Sequence, residues 1–177
     1  MANHVDNYIE VLGNDAAKVE FERIFNQIDS SEYKSLYEAE FLPVMAATGK
    51  VGIDTIGAKW ANLEDFGEDF ALVTSAWSAV LPFLDELGNH LEDFDPDVKL
   101  TCQFSDEAYN FVGCGVFHDS DVFSDEEYYE DLVEIRRLTL SEEEEEDYDP
   151  WDDDEWHEFI DNRVLAIKTD LLESTVQ

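Results

Sequence analysis

Carboxylates are the chemically capable side chains that this sequence holds in quantity. From Asp119 to Glu158 half of the residues are Asp or Glu, opposed by Arg136 and Arg137 alone. Asp119, Asp121, Asp125, Glu126, Glu127, Glu130 and Asp131 open the stretch. The run Glu142, Glu143, Glu144, Glu145, Glu146 and Asp147 follows, and beyond Asp149 come Asp152, Asp153, Asp154 and Glu155, flanked by Trp151 and Trp156. Two chemistries suit such clusters: hard oxygen ligation of calcium or magnesium, and repeated negative charge offered to a basic partner. The metal reading is the weaker. Asp119-Ser120-Asp121 begins like a calcium loop, but its sixth position is Ser124 where that loop needs glycine, and Asp152 to Asp154 have no glycine-bearing loop either. Weak adventitious cation binding is the alternative this leaves, with no dedicated metal site and no cofactor.

Repeated charge has a closer physical match. Duplex DNA presents one phosphate per about 3.4 Å of axis on each strand. A helix with acids at half its positions and a rise of about 1.5 Å per residue presents one carboxylate per about 3 Å. Such a surface would fit the basic groove of a nucleic-acid-binding protein and share the steering that DNA enjoys. The competing account is a solvated or disordered acidic segment, which blocks of like charge usually are. Val122, Phe123, Tyr128, Tyr129, Leu132, Ile135, Tyr148, Trp156 and Phe159 are interleaved with the acids, however. A disordered tail is poor in such residues, so the reading is of a folded acidic surface with apolar anchors.

Other chemistry is sparse. His4, His90, His118 and His157 are scattered, and no Ser, Cys or His has a nucleophile setting, so no catalytic residue is expected. Cys102 and Cys114 fit neither a zinc spacing nor a disulfide framework. On two arms of one hairpin they could face each other, but a reduced pair is expected.

The net charge is -35, from 45 acids against 10 Lys and Arg. Residues 1–118 carry 22 acids against 6 Lys and Arg, and residues 119–177 carry 23 against 4. Salt adaptation would spread acids over the whole surface, which ranks it second. Nucleic acid is disfavoured as a ligand, and none is expected, because phosphate binding takes clustered Lys and Arg. No Arg-rich or apolar leader opens the chain, and no apolar run approaches the roughly 18 residues of a membrane span. The expectation is a soluble protein of a host cytoplasm, without a membrane partner.

The elements that must carry these residues follow from periodicity. Val5 to Leu12 alternates as a strand and ends at Gly13. Asn14 or Asp15 then caps a helix with Ala17, Phe21, Ile24, Phe25 and Ile28 on one face. Residues 32–56 are weakly patterned and suggest a packed connection. Residues 56–63 and 70–77 read as a strand hairpin, followed by Ser78 as a candidate cap and a helix carrying Val80, Leu81, Leu84, Leu87 and Leu91. Residues 98–104 and 111–117 are two further strands. Trp60 and Trp77 would lie on adjacent strands, where aromatic side chains are more often core than pocket lining. Residues 125–138 read as a short helix or a strand pair. Trp156, Ile160, Val164, Ile167 and Leu171 predict a final amphipathic helix over 155–173.

The order is β-α-β-β-α-β with an extra strand, an α+β class with an antiparallel sheet and two helices on one face, the ferredoxin-like arrangement. It occupies residues 1–118, and residues 119–177 form an acidic extension ending in the amphipathic helix. Several pieces of the first part resemble the YubB ferredoxin-like family of phage and plasmid proteins. They are the opening strand with Asn7 and Gly13, Gly57-Ala58-Lys59-Trp60, Thr74-Ser75-Ala76-Trp77-Ser78 with Pro82 after it, and Asp106-Glu107 followed by Asn110-Phe111-Val112-Gly113. The resemblance implies the fold and a mobile-element origin, and it brings no established activity. The family's Pro-rich step after the second Trp is reduced here to Pro82.

The expected function is therefore a nucleic-acid mimic that inhibits a basic host DNA- or RNA-binding protein, such as a restriction, CRISPR, polymerase or nucleoid protein. The alternative is an interaction module or virion-associated protein whose acids confer solubility. Oligomeric state is open, a dimer included.

Overall fold

The computed structural model describes residues 3–140, 148–150 and 153–175. The fold is mixed α+β. Its strands are β1 (His4–Leu12), β2 (Lys59–Phe66), β3 (Phe70–Ala76), β4 (Lys99–Asp106), β5 (Phe111–His118) and β6 (Asp121–Tyr128). They form one sheet in the order β2-β3-β1-β4-β5-β6, and every neighbouring pair is antiparallel. The helices are α1 (Asp15–Asp29), the single turn α2 (Ile53–Ile56), α3 (Leu81–Leu91), α4 (Tyr129–Arg137) and α5 (Trp156–Ser174), with a short 3-10 turn at Leu36–Glu38.

Alternation along the strands sorts the two faces. Val5, Asn7, Ile9 and Val11 of β1 are buried, and the apolar ones pack with Phe21, Phe25 and Ile28 of α1 and Phe83, Leu84 and Leu87 of α3 in the main core. The first helix is capped as its sequence predicts: Asn14 Oδ1 accepts from the N–H of Ala16 and Ala17 at 2.9 and 3.1 Å. Gly88 of α3 permits a close approach to the sheet, because a Cβ there would sit 2.3 Å from the Phe117 ring. Across the sheet, Val112, Cys114 and Val116 meet Ile160, Val164 and Ile167 of α5, which covers the β4 to β6 half of the opposite face. Thus β5 is buried on both sides, as its nearly continuous apolar run requires.

Three local expectations are corrected, and the turn between β5 and β6 is defined. Ile56 ends the turn α2, so β2 starts at Lys59 and runs on to Phe66. Ser78 does not cap α3; its hydroxyl donates to Gly57 O at 2.7 Å, while the Val80 N–H is taken by Asn7 Oδ1 at 3.1 Å. Asp119 and Ser120 link β5 to β6. Both have positive φ, 54° and 60°, and make the tight turn from β5 to β6, a conformation matched to hairpin twist. Glu92 of α3 holds that turn by accepting from Ser120 N and Oγ at 2.9 and 2.8 Å. Finally, Cys102 lies opposite Gly115 and Cys114 opposite Gln103, which puts the two thiols on opposite faces of the sheet. Both are buried and free, and burial pushes the Cys114 thiol up to about 12.

Among the described residues no helix is long and apolar enough to cross a membrane.

Candidate functional site

The acidic candidates divide into three groups. Glu142 to Asp147 and Asp152 lie outside the described residues. Glu127, Asp153 and Glu155 are engaged internally. Arg163 of α5 donates through Nε to Glu127 at 2.9 Å, and Arg136 of α4 donates to Asp153 at 2.9 Å and to Glu155 at 3.1 Å. Asp153 also accepts from the Tyr148 hydroxyl at 3.0 Å. The Arg136 guanidinium is the main reason that the Asp153 carboxyl is held below the usual carboxylate range. Glu127 thereby ties α5 to β6, and Asp153 and Glu155 tie the start of α5 to α4, an additional structural task that their side-chain type did not disclose.

The third group faces water. Asp119, Asp121, Asp125, Glu126, Glu130, Asp131, Asp149 and Asp154 are exposed. Among the described residues, the first six form no ion pair. They follow one another along the tight turn, the outermost strand and the first turn of α4, so they share one rim of the molecule. Acids occupy four of the eight residues of β6. At about 3.3 Å per residue this is one carboxylate per about 7 Å, half the linear density of a single DNA strand. The expected equality assumed a helix, and the described rim is largely extended. Among the described residues, no three His, Cys, Asp or Glu side chains are grouped to hold a metal.

A second constellation emerges where core was expected. Trp60 and Trp77 are 63% and 50% exposed, with ring centroids 5.4 Å apart. Lys59 Nζ sits 5.4 Å from the Trp77 ring centroid, within cation–π range. Both tryptophans have left-handed backbones, φ 50° and 68°. That conformation costs an L-residue about 1–2 kcal/mol, and it persists where the surroundings enforce it.

The groups around Trp77 can be named. Asn7 Nδ2 donates to Ser75 Oγ at 2.9 Å, Ser75 Oγ donates to Ser78 O at 2.8 Å, and Ser78 Oγ donates to Gly57 O. Trp77 N donates to Asn3 O at 3.0 Å. Asn3 in turn reaches Asp106, whose carboxylate also accepts from the Asn110 side chain at 2.6 Å. Gly57 has φ 86°, and a Cβ on it would lie 2.4 Å from Pro82 Cδ. The segments around Asn7, Gly57, Trp60, Trp77, Pro82 and Asp106, far apart in the chain, therefore converge on one end of the sheet.

Beside Trp77 this convergence leaves a cavity of about 420 Å³. Pro82, Phe104, Phe111 and Tyr128 help to wall it, and Glu126 stands at its margin with β6. The cavity thus touches the acidic rim through Glu126 and Tyr128, whose hydroxyl donates to the Glu126 carboxylate.

No protein-family model, no curated protein and no solved structure matches the chain.

Proposed function

We propose that the chain is a nucleic-acid mimic, of mobile-element origin, that occupies the basic groove of a host DNA- or RNA-binding protein and inhibits it. The observation that carries this reading is the rim of exposed carboxylates Asp119, Asp121, Asp125, Glu126, Glu130 and Asp131, which form no ion pair among the described residues and are held on a hairpin and a helix turn. A charge fixed on a folded backbone has lost its freedom before binding, so less is lost on association. Charges on an outer strand also keep it from pairing with another chain. That protective task does not account for Glu130 and Asp131, which lie beyond the strand.

The strand order β2-β3-β1-β4, with α1 and α3 packed into one core, supports reading this part as a ferredoxin-like unit to which β5 and β6 are appended. The convergence of the Asn7, Gly57 to Trp60, Thr74 to Ser78 and Asp106 to Asn110 segments supports kinship with the YubB ferredoxin-like family, whose resemblance rests on those same residues. A second reading, an interaction module that does not imitate nucleic acid, is favoured by the exposed tryptophan pair, since exposed Trp is enriched where proteins bind proteins.

The test is displacement. A host protein captured on the immobilised chain should be released by duplex DNA and by rising salt, because its cations would meet carboxylates as they meet phosphates. A partner that holds this chain and DNA at once would replace mimicry with the interaction-module reading.

A further inference from the structure

We propose that the cavity between Trp77, Phe111 and Tyr128 is an arginine-binding subsite, which seats a guanidinium from a basic partner against aromatic faces and the Glu126 carboxylate. The inference rests on the partner being basic, and it adds where and how one side chain of that partner is recognised.

Three observations lead there. The walls are aromatic and apolar, through Trp77, Pro82, Phe104, Phe111 and Tyr128, which suits the flat face and methylene stem of arginine. Among the described residues that line it, Glu126 alone carries charge, and that charge is negative. The Glu126 carboxylate accepts from Tyr128, which orients it, and its exposure leaves acceptor capacity for a guanidinium. Thirdly, the Trp77 ring already has a cation near it within the chain, Lys59, so its quadrupole acts on positive charge in this setting.

Arginine fits better than lysine. A guanidinium is planar, weakly hydrated and able to stack and to donate two bonds to one carboxylate, whereas an ammonium is a compact, strongly hydrated point charge. A neutral apolar side chain would fill the walls but leave Glu126 without a charged partner. Strain at Trp77 agrees with a recognition role, since a bulky exposed residue held at φ 68° is retained where its placement matters.

The probe is acetyl-arginine amide, titrated into the isotope-labelled full chain at about 0.15 M salt, which screens diffuse attraction to the acidic surface. The indole N–H signals of Trp60 and Trp77 and the Glu126 amide are followed. Saturable shifts at Trp77 and Glu126 are expected, weakened about tenfold or more with the neutral isostere acetyl-citrulline amide. E126Q and W77G, each first checked for a native amide spectrum, should each weaken binding about fivefold or more. Shifts that spread over the acidic residues without saturation, or equal shifts with citrulline, overturn the subsite. D121N/D125N/E130Q/D131N separates the two proposals: it should leave arginine binding at Trp77 intact while lowering affinity for a basic protein. Loss of the subsite with DNA-competitive partner binding retained removes this inference and leaves the mimic reading standing.

Discussion

Arg136 and Asp153 are joined by two donated bonds, from Nε at 2.9 Å and from Nη2 at 3.3 Å, although the sequence separates them by 17 positions. The pair ties α4, which follows the outermost strand, to the segment that enters α5. Both side chains are largely buried, 15% and 11% exposed. The aromatic cluster of Tyr129, Tyr148, Trp156 and Phe159 packs around Leu132 beside it. Asp153, and with it the start of α5, is thereby held to α4 by one of the few cations of this half of the chain.

This pair predicts a pH dependence. The folded-state carboxyl of Asp153 lies below its unfolded value, because the Arg136 hydrogen bond favours the charged form. Its contribution is then fully present above about pH 4 and is lost as pH falls through the folded value. D153N should lower stability at neutral pH by about 1.5–3 kcal/mol, the range for a hydrogen bond to a charged group. The gap between the urea unfolding curves of the two chains should close on acidification below about pH 4. Relief of general repulsion acts on both chains, so their difference isolates this site. A gap that stayed constant from neutral to acid pH would show that the pair contributes nothing.

The strained tryptophans predict an unusual order of stability. At φ 68°, glycine is free of the strain that any side chain suffers. Since Trp77 is half exposed, truncation removes modest packing. W77G should therefore be about 1 kcal/mol more stable than W77A. G57A should behave oppositely and lose about 2 kcal/mol or more, because it combines φ 86° with a Cβ 2.4 Å from Pro82. Thermal melts of the three variants measure this order. W77A equal to or above W77G would refute enforced strain at that position.

Much of this framework can be read from the sequence. Period-2 and period-3.6 patterns place β1, α1, β3, α3, β4, β5 and α5 within a few residues of where they lie. What is lost is whatever depends on a distant partner. The turn at Asp119 and Ser120 lacks the glycine that announces a tight hairpin, and the group that holds it is Glu92, 28 residues away. With the turn hidden, β6 also escapes, since DVFSDEEY is rich in residues that strands disfavour. The exposure of Trp60 and Trp77 has no signature in composition; at Trp77 it accompanies a backbone held through Asn7, Ser75, Ser78 and Asn3. The opposite lesson comes from Phe111 to Phe117. An apolar run uninterrupted by polar residues signals a strand covered on both faces, and it identifies β5 as the place where α5 docks.

That docking makes the last helix part of the fold. Ile160 is 2% exposed and packs with Val112, Leu132 and Trp156. I160A should cost about 3 kcal/mol, in the range for a large-to-small core change. Removal of residues 155–177 should uncover Val112, Cys114 and Val116 and lead to aggregation. Urea titration and light scattering measure these two effects. A truncated chain that melts unchanged as a monomer would show that α5 is dispensable.

The division of acids into paired and unpaired sets gives the sharpest test of function. Neutralising Asp121, Asp125, Glu130 and Asp131 removes charges that face water and, among the described residues, pair with no cation, so the fold should keep its stability or gain slightly as repulsion falls. E127Q together with D153N removes a smaller number of charges but breaks contacts to Arg163 and Arg136. If the rim imitates phosphates, the first set should weaken a basic partner about tenfold or more and flatten the dependence of affinity on salt. The second set should lower unfolding stability and leave the salt slope of the remaining folded protein near its original value. Competition against duplex DNA across salt concentrations, with urea unfolding in parallel, reads both quantities. Equal affinity and equal salt slope for the first set and the unaltered chain would mean that the rim serves solubility, and the mimic reading would fall with it.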